Sequence, residues 1–263
     1  MVADENISQS GSKEESYDPI KRAEAVARIV CEGDMRKYHR FRPARFYGGI
    51  ATADCVGCPL RCLFCWSWNQ VVSPSSHGNF YSPRDVAANL VGIARKRRFR
   101  QVRISGNEPT LGREHLLKLL EQIPPDLVFI LETNGLLLGH DNTYAQALAR
   151  FENLYVRVSL KGTNEKEFFS LTGADPDGFN LQVQGLRNLS LAGVKAHPAV
   201  MTSFSPPENV RALQERLKAI DPAFEEIEIE ELALYGSVEE RLKRTGLFPL
   251  SAHDPGKIPP EQI

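Results

Sequence analysis

The stretch Asp54 to Trp66, DCVGCPLRCLFCW, contains four of the protein's five cysteines. They are Cys55, Cys58, Cys62 and Cys65, with the spacing C-x2-C-x3-C-x2-C. Structural zinc usually takes two short-spaced cysteine pairs that are separated by a longer stretch, whereas here the gap between the pairs is only three residues. A tight loop with three thiolates suits an iron–sulfur cubane that keeps one iron open for chemistry. The spacing therefore favours an iron–sulfur cluster at the last three cysteines, with structural zinc as the alternative.

The composition indicates the kind of protein that contains this cysteine loop. The chain has 263 residues, 42% hydrophobic and 25% charged, with a formal net charge of -1. These values are typical of one large globular domain without an overall attraction to nucleic acid or anionic membranes. Residues 1–16 are polar and acidic and are predicted to be disordered; we find neither a signal peptide nor an apolar run of roughly 18–20 residues that could span a bilayer. We therefore expect a cytoplasmic protein with reduced thiols, which favours metal ligation over disulfides.

Strands and helices alternate along the rest of the chain. A helix is predicted at 19–31, followed by a basic, aromatic connector at 36–46. The predicted strands are 47–53, 101–105, 127–132, 154–160, 195–201 and 225–230. The predicted helices are 84–97, 112–122, 143–151, 165–171, 178–191 and 207–219. Such alternation predicts an α/β fold with a parallel sheet and right-handed crossovers.

The cysteine loop and three predicted strand ends together resemble a known superfamily. The sequence CPLRCLFC at 58–65 resembles the signature of radical S-adenosylmethionine (radical SAM) proteins. The strand ends at 105–110 (SGNEPT), 132–135 (ETNG) and 159–162 (SLKG) resemble, in order, the GGEP motif, the ribose-holding strand end and the D-L-K strand of glycyl-radical activating enzymes. The resemblance covers roughly residues 47–236, and its motif style is closest to those activating enzymes.

The resemblance implies a partial, open (β/α)6 barrel with parallel strands, an N-terminal helical extension and a C-terminal irregular tail. The implied boundaries are 1–16 for the disordered N-terminus, 17–46 for the helical and basic extension, 47–236 for the barrel and 237–263 for the tail.

The resemblance also implies the cofactors and the reaction. Cys58, Cys62 and Cys65 would bind a [4Fe-4S] cluster whose open iron is chelated by S-adenosylmethionine. Reductive cleavage of this cosubstrate would give methionine and a 5′-deoxyadenosyl radical that abstracts hydrogen from a substrate. The implied protein is an iron–sulfur oxidoreductase of a reducing, anaerobic cytoplasm, because such a cluster is oxygen-labile.

The implied cosubstrate-binding residues lie at or near the strand ends: Phe64, Gly106, Asn107, Glu108, Glu132, Asn134, Ser159, Lys161 and Tyr235. Gly106 and Asn107 would let the backbone approach the methionine end, and Glu108 would shape their turn. Asn107 replaces the second glycine of the GGEP motif, and Ser159 replaces the Asp of D-L-K.

The remaining implied contacts reach the other parts of the cosubstrate. Lys161 would pair with the methionine carboxylate, and Glu132 and Asn134 with the ribose hydroxyls. Phe64 would lie near the adenine, and Tyr235 would close the adenine site.

The implied partners are a low-potential electron donor such as a ferredoxin or flavodoxin, and a protein or peptide substrate. A small molecule or an RNA nucleotide is the alternative substrate. The segment 36–45 mixes arginines with Tyr38 and Phe41, a stacking and phosphate-binding pattern. It supports a second class of function, a zinc-stabilised nucleic-acid-binding or scaffold protein, although the absence of a recognisable RNA-binding module makes RNA the weaker partner. Cys55 is interpreted as a spare thiol.

Overall fold

The computed structural model describes residues 16–258 of the chain. The predicted disorder of residues 1–16 therefore falls, except for Ser16, outside the described residues. The helices and strands are, in order, α1 (Pro19–Val30), β1 (Cys31–Glu32), β2 (Met35–Ala44), β3 (Ile50–Cys55), α2 (Trp68–Val72), β4 (Asn79–Tyr81), α3 (Pro83–Arg97), β5 (Gln101–Ser105), α4 (Arg113–Leu120), β6 (Val128–Thr133), α5 (Leu136–His140), α6 (Asn142–Leu148), β7 (Leu154–Leu160), α7 (Glu165–Thr172), α8 (Gly178–Leu191), β8 (Ala196–Met201), α9 (Pro207–Lys218), β9 (Glu228–Glu230) and α10 (Gly236–Thr245).

The strands form one nine-stranded sheet in the order β1-β2-β3-β5-β6-β7-β8-β9, with β4 also paired to β2. Every pair from β3 to β9 is parallel, whereas the pairs that β2 makes with β1, β3 and β4 are antiparallel. The strands at the two ends of this order do not pair with each other in the described part of the chain, so the barrel is open. The predicted α/β fold with a partial, open parallel barrel is confirmed.

The two faces of the sheet differ sharply in chemistry. Side chains alternate between the faces of a strand, and one set is apolar, fully buried and covered by helices; it includes Ala53, Ile104, Leu131 and Val156. The opposite side, called the polar face below, carries Asp54, Ser105, Glu132, Arg157 and His197 on adjacent strands. Because strands β3 to β9 are parallel, their carboxyl ends lie at the same edge of the sheet. The polar face extends to this edge.

The segment 36–46, predicted to be a connector, forms most of β2 instead. Tyr38 is 1% exposed and packs into the core. Lys37 is also buried, because its Nζ donates to two backbone carbonyls of the loop before β4, at 3.2 and 2.8 Å. The basic composition of this segment concealed a strand, in which Lys37 and Arg36 donate to backbone carbonyls.

Two other boundaries differ from the sequence-based prediction. The first parallel strand begins at Ile50 rather than at residue 47, because Tyr47 has a left-handed φ of 55° that an extended strand does not allow. The predicted irregular tail contains helix α10, whose Val238 and Leu242 are buried and which ends at Gly246 with a φ of 68°. No helix in residues 16–258 is long and apolar enough to cross a membrane.

Candidate active site

Three cysteines of the loop after β3 form one electrostatic group. Burial raises the pKa of Cys62 to about 12, against the lowering effect of the Lys161 ammonium, and Cys65 adds to the rise. Burial is also the first cause of the raised pKa of Cys58, followed by the Glu108 carboxylate and the other two thiols. The pKa of Cys65 is raised by burial as well. The three thiols are therefore protonated at neutral pH unless a metal replaces the protons.

Hydrogen bonds fix the shape of this loop around Cys58. The Cys58 Sγ accepts from the Leu60 N–H at 3.4 Å and from the Asn134 Nδ2 at 3.7 Å. The Cys65 N–H donates to the Cys62 carbonyl at 2.9 Å, which closes a turn between the last two cysteines. Donors directed at a ligand sulfur are a common means of tuning a cluster.

Cys55 has a different environment from the other three. It lies at the end of β3 opposite Tyr38, is 0% exposed and belongs to the apolar core. Burial raises its pKa to about 11, with the Arg36 guanidinium as the charge that opposes the rise most strongly. Its position on the strand supports the interpretation of Cys55 as a spare thiol.

The donor set fits a cluster better than it fits a single metal ion. Within residues 16–258, no group of three or more His, Cys, Asp or Glu side chains is arranged to hold one metal ion. The cysteines that bind a cubane each hold a separate iron, so their sulfurs do not need to converge on one point. One loop supplies three thiols of this kind: Cys62 is buried, Cys58 and Cys65 are half-buried, and the charges of Cys62 and Cys65 both act on Cys58.

The turn after β5 is fastened to the cysteine loop through Gly57. The Gly57 N–H donates to Asn107 Oδ1 at 3.0 Å, and the Glu108 N–H donates to the Gly57 carbonyl at 3.0 Å. Gly106 has a φ of 101°, and a Cβ there would lie 3.1 Å from the backbone of β3. Position 106 thus favours glycine, because β3 approaches closely and the φ is one that other residues rarely adopt. The side chain of Asn107, at the position of the motif's second glycine, holds the residue before Cys58 in place.

The Glu108 carboxylate joins this turn to the end of β6. Its Oε1 accepts from the Thr110 N–H at 3.0 Å and from the hydroxyls of Thr110 and Thr133 at 2.5 and 2.7 Å. Its Oε2 accepts from the Asn134 N–H at 2.8 Å. Glu108 is 1% exposed, and four donors match the roughly four lone-pair positions of a carboxylate. These four bonds hold the turn after β5 against the end of β6.

Gln182 on α8, which sequence reasoning missed, links two strand ends from below. It is 0% exposed, and its Nε2 donates to the carbonyls of Asn134 and Ser159 at 2.5 and 3.2 Å. Its Oε1 accepts from the Lys161 N–H at 3.1 Å. A glutamine on the mostly apolar buried face of α8 was the signal that could have identified it, because a buried amide needs partners.

Lys161 places a positive charge between the cysteine loop and β9. Its Nζ donates to the Ser159 hydroxyl, which in turn donates to Glu230 Oε2 at 2.7 Å. Although burial opposes it, the charges of Arg157 and Lys161 hold the pKa of Glu230 below its usual value. Because Lys161 also lowers the pKa of Cys62, its ammonium is shared between the thiols and an acidic partner.

Glu132 lies on the polar face and is already engaged by three donors. It accepts from Arg103 Nη1 at 2.6 Å, from the Tyr47 hydroxyl at 3.3 Å and from the Ser105 hydroxyl. Arg103 is itself fixed by a bond from its Nε to Thr52 Oγ1 at 3.0 Å. Ribose hydroxyls at this position would meet a carboxylate whose orientation is set by the sheet.

Helix α10 clamps the cysteine loop through Arg241, a contact that no sequence pattern indicated. Arg241 is 5% exposed; its Nε donates to the Leu63 carbonyl and its Nη2 to the Cys65 carbonyl, both at 2.6 Å. The guanidinium carbon lies 4.4 Å from the centre of the Trp68 ring. The segment predicted as a tail therefore contributes directly to the conformation of the loop.

The two aromatic residues implied for the adenine lie near α10. The Phe64 ring centre is 5.9 Å from that of Phe204, within an apolar cluster that includes residues of α10. Tyr235 is 44% exposed and immediately precedes the helix. Of the implied site residues, the structure thus gathers the three cysteines with Asn107, Glu108, Asn134 and Lys161, whereas Glu132 and Tyr235 have their described contacts elsewhere.

The fold and this site define a class of protein, an open parallel α/β barrel in which a three-cysteine loop meets the ends of the following strands. The chain belongs to the Radical SAM superfamily, whose sequence pattern matches residues 54–220. Members of this superfamily use a [4Fe-4S] cluster and S-adenosylmethionine, so the predicted family and both predicted cofactors are confirmed.

Curated relatives are distant and longer than this chain. A protein named probable GTP 3′,8-cyclase from Methanosarcina acetivorans is 28% identical over 202 residues, which are 70% of this chain and 59% of that protein. A protein of the same name from Thermococcus kodakarensis is 29% identical over 154 residues, which are 57% of this chain and 47% of that protein. The chain thus spans less than two thirds of the length of either relative.

Solved structures share the fold at low sequence identity. Streptococcus suis SuiB bound to S-adenosylmethionine has a TM-score of 0.57 and 18% identity, over 73% of this chain and 44% of that chain. Spore photoproduct lyase complexed with a dinucleoside spore photoproduct has a TM-score of 0.56 and 13% identity, over 79% of this chain and 63% of that chain. These likenesses establish the barrel architecture.

Proposed function

We propose that Cys58, Cys62 and Cys65 hold a [4Fe-4S] cluster and that the protein cleaves S-adenosylmethionine reductively. The observation that carries this proposal is the group of three thiols on one loop, with Cys62 buried and Cys58 and Cys65 half-buried; the Lys161 charge acts on Cys62 and Cys65. When bound, the cofactors supply methionine and a 5′-deoxyadenosyl radical that abstracts hydrogen from a substrate, which makes the protein an oxidoreductase. We place this chemistry in a reducing cytoplasm, because such a cluster is oxygen-labile.

The chain's own residues bind and orient these groups. Asn134 directs an amide donor at the Cys58 sulfur, and Lys161 is oriented by its bond to Ser159 so that its ammonium can donate to the methionine carboxylate. Arg241 fixes the carbonyls on either side of Phe64 and so orients that ring. The remaining implied contacts, to methionine, ribose and adenine, stay part of the proposal: Gly106, Asn107, Glu108, Glu132 and Tyr235.

A low-potential ferredoxin or flavodoxin is the proposed electron donor. Arg22 and Arg61 lie beside the cysteine loop. The guanidinium carbon of the half-buried Arg22 is 5.5 Å from the centre of the Tyr17 ring, and the backbone N–H of the exposed Arg61 donates to the Tyr17 hydroxyl at 3.0 Å. Neither arginine forms an ion pair with a residue in the described range 16–258. The exposed Arg61 would be complementary in charge to an acidic donor.

Two substrate classes have support. A protein or peptide substrate, expected from the strand motifs, is supported by the fold likeness to SuiB bound to its precursor peptide, with a TM-score of 0.54 and 19% identity. A nucleotide substrate is supported by the curated relatives named GTP 3′,8-cyclase and by the exposed Trp66 ring, which lies beside the Arg40 guanidinium.

The proposed function is tested on anaerobically purified, reconstituted protein. We expect about four irons per chain, and 5′-deoxyadenosine after addition of dithionite and S-adenosylmethionine. Both signals should disappear in a Cys58→Ala, Cys62→Ala, Cys65→Ala variant, whereas Cys55→Ala should keep them. Zinc in place of iron, or equal 5′-deoxyadenosine in the wild type and the triple variant, would refute the proposal.

A further inference from the structure

The basic segment 36–45 presents a smaller binding surface than its composition indicates. Tyr38 is buried, and Phe41 packs edge-on against Tyr81 with ring centres 5.0 Å apart, so neither ring is free to stack on a ligand. Arg36 is 1% exposed and donates to backbone carbonyls. The extended stacking surface that a nucleic-acid strand would need is therefore absent from this segment as the structure describes it.

Two arginines of the same segment nevertheless point to the polar face, where they share one carboxylate. Asp54 is 0% exposed and accepts from the Nε of both Arg40 and Arg42, the latter at 2.8 Å. Arg42 Nη2 also donates to Asp54 Oδ1 at 3.3 Å. Two guanidinium groups against one carboxylate leave a positive charge of about one unit. The Nη groups of Arg40 donate to no residue in the described range 16–258, and its side chain is 44% exposed.

An exposed aromatic ring lies beside the guanidinium group of Arg40. The Arg40 guanidinium carbon is 5.5 Å from the centre of the Trp66 ring, and Trp66 is 47% exposed. Trp66 directly follows Cys65, so the ring lies at the rim of the cysteine loop. Large exposed aromatic rings next to cations are the elements with which proteins stack bases and bind phosphates.

We infer that Arg40, Arg42 and Trp66 form a substrate-binding site for a nucleotide, with the base stacked on Trp66 and the phosphate on the arginines. The inference rests on the proposed function, since it assigns the substrate of that same site. Asp54 holds both arginines in fixed orientations before the ligand arrives, which reduces the entropy lost on binding. One ring can stack on one base and two guanidinium groups can bind one phosphate, so the site has the size of a single nucleotide. An acidic peptide would satisfy the charge but would leave the ring without a stacking partner.

Equilibrium dialysis under anaerobic conditions tests this inference on the reconstituted protein. The probes are guanosine 5′-monophosphate, guanosine, inorganic phosphate and hexaglutamate, each with saturating S-adenosylmethionine so that the cosubstrate's own adenine site is filled. The variants are Arg40→Gln, which leaves Asp54 paired with Arg42, and Trp66→Leu, which removes a ring that is half exposed. Arg45→Gln, an exposed arginine of the same segment, is the matched control.

We expect guanosine 5′-monophosphate to bind more tightly than guanosine or phosphate alone. Arg40→Gln and Trp66→Leu should each weaken it about tenfold or more, whereas Arg45→Gln should not. Equal affinity in all variants, no binding at millimolar concentration, phosphate binding as tightly as the nucleotide, or variant-sensitive binding of hexaglutamate instead would each overturn the inference. The 5′-deoxyadenosine formed by the same preparations is measured first, so that failure of the nucleotide site is distinguished from failure of the radical chemistry.

Discussion

Replacing Arg241 by methionine should loosen the cysteine loop without unfolding the barrel. Methionine keeps most of the aliphatic stem over Trp68 but removes the two 2.6 Å hydrogen bonds to the carbonyls of Leu63 and Cys65. A charge-assisted hydrogen bond contributes about 1.5–3 kcal/mol, so the pair sets an upper value of about 3–6 kcal/mol. Both carbonyls belong to half-buried residues and can regain water, which reduces the expected cost to about 2–4 kcal/mol. At 1.4 kcal/mol per factor of ten, the opening constant of the loop should rise about 30- to 700-fold.

Hydrogen–deuterium exchange followed by mass spectrometry measures this opening on peptides that cover residues 61–66. Lys243→Met is the matched control, because Lys243 lies on the same helix and, among residues 16–258, its ion pair is with Glu239 at the surface, 66% and 48% exposed. We expect faster exchange in the loop and a lower iron content after reconstitution for Arg241→Met, with neither change in the control. Identical loop exchange in the two variants would show that α10 does not hold the loop.

Three further predictions follow from single side chains. Cys62→Ala should abolish cluster assembly, whereas Cys55→Ala should keep the iron content and lower only the stability, by about 1–2 kcal/mol for a small buried side chain, as measured by iron analysis and urea unfolding. In Glu108→Gln, the new amide N–H group faces donors that the carboxylate now accepts from, so the free energy of unfolding should fall by about 2–4 kcal/mol. The control Glu114→Gln, at an exposed helix position, should change it by less than about 1 kcal/mol. Burial lowers the pKa of His115 to about 4 from 6.5, so the unfolded state takes up the proton first on acidification. The contribution of His115 to stability is present above about pH 6.5 and is lost as the pH falls toward 4, which makes its share of the stability about 2 kcal/mol smaller at pH 5 than at pH 7. In urea titrations, His115→Gln should reduce the difference in stability between pH 7 and pH 5 by about that amount.

The sequence predicted the six parallel strands because each is a short apolar or alternating run and five of them are followed along the chain by a predicted helix, and this local signal agrees with the sheet. It also predicted the turn at Glu108, since an acidic residue before proline at a strand end is unusual. It did not reveal that Arg241 reaches the loop, because the acceptors are backbone carbonyls and carry no side-chain pattern. It misjudged the segment 36–45, because composition alone does not tell which face of a strand each charge occupies. Arg40 and Tyr38, two positions apart, differ in exposure because a bulge lies between them.

The cysteine loop is held by parts of the chain that lie outside the matched family segment. Residues 56–66 contain neither a helix nor a strand, so their order must come from neighbours, since fixing a loop backbone costs about 1–2 kcal/mol per residue. Inside the segment 54–220, Asn107 holds Gly57. Outside it, the Tyr17 hydroxyl accepts from the backbone of the loop and Arg241 donates to two of its carbonyls. Contacts from both flanks therefore fix the loop before any cofactor binds. A fragment restricted to 54–220 would retain the thiols but lose two of the supports that orient them.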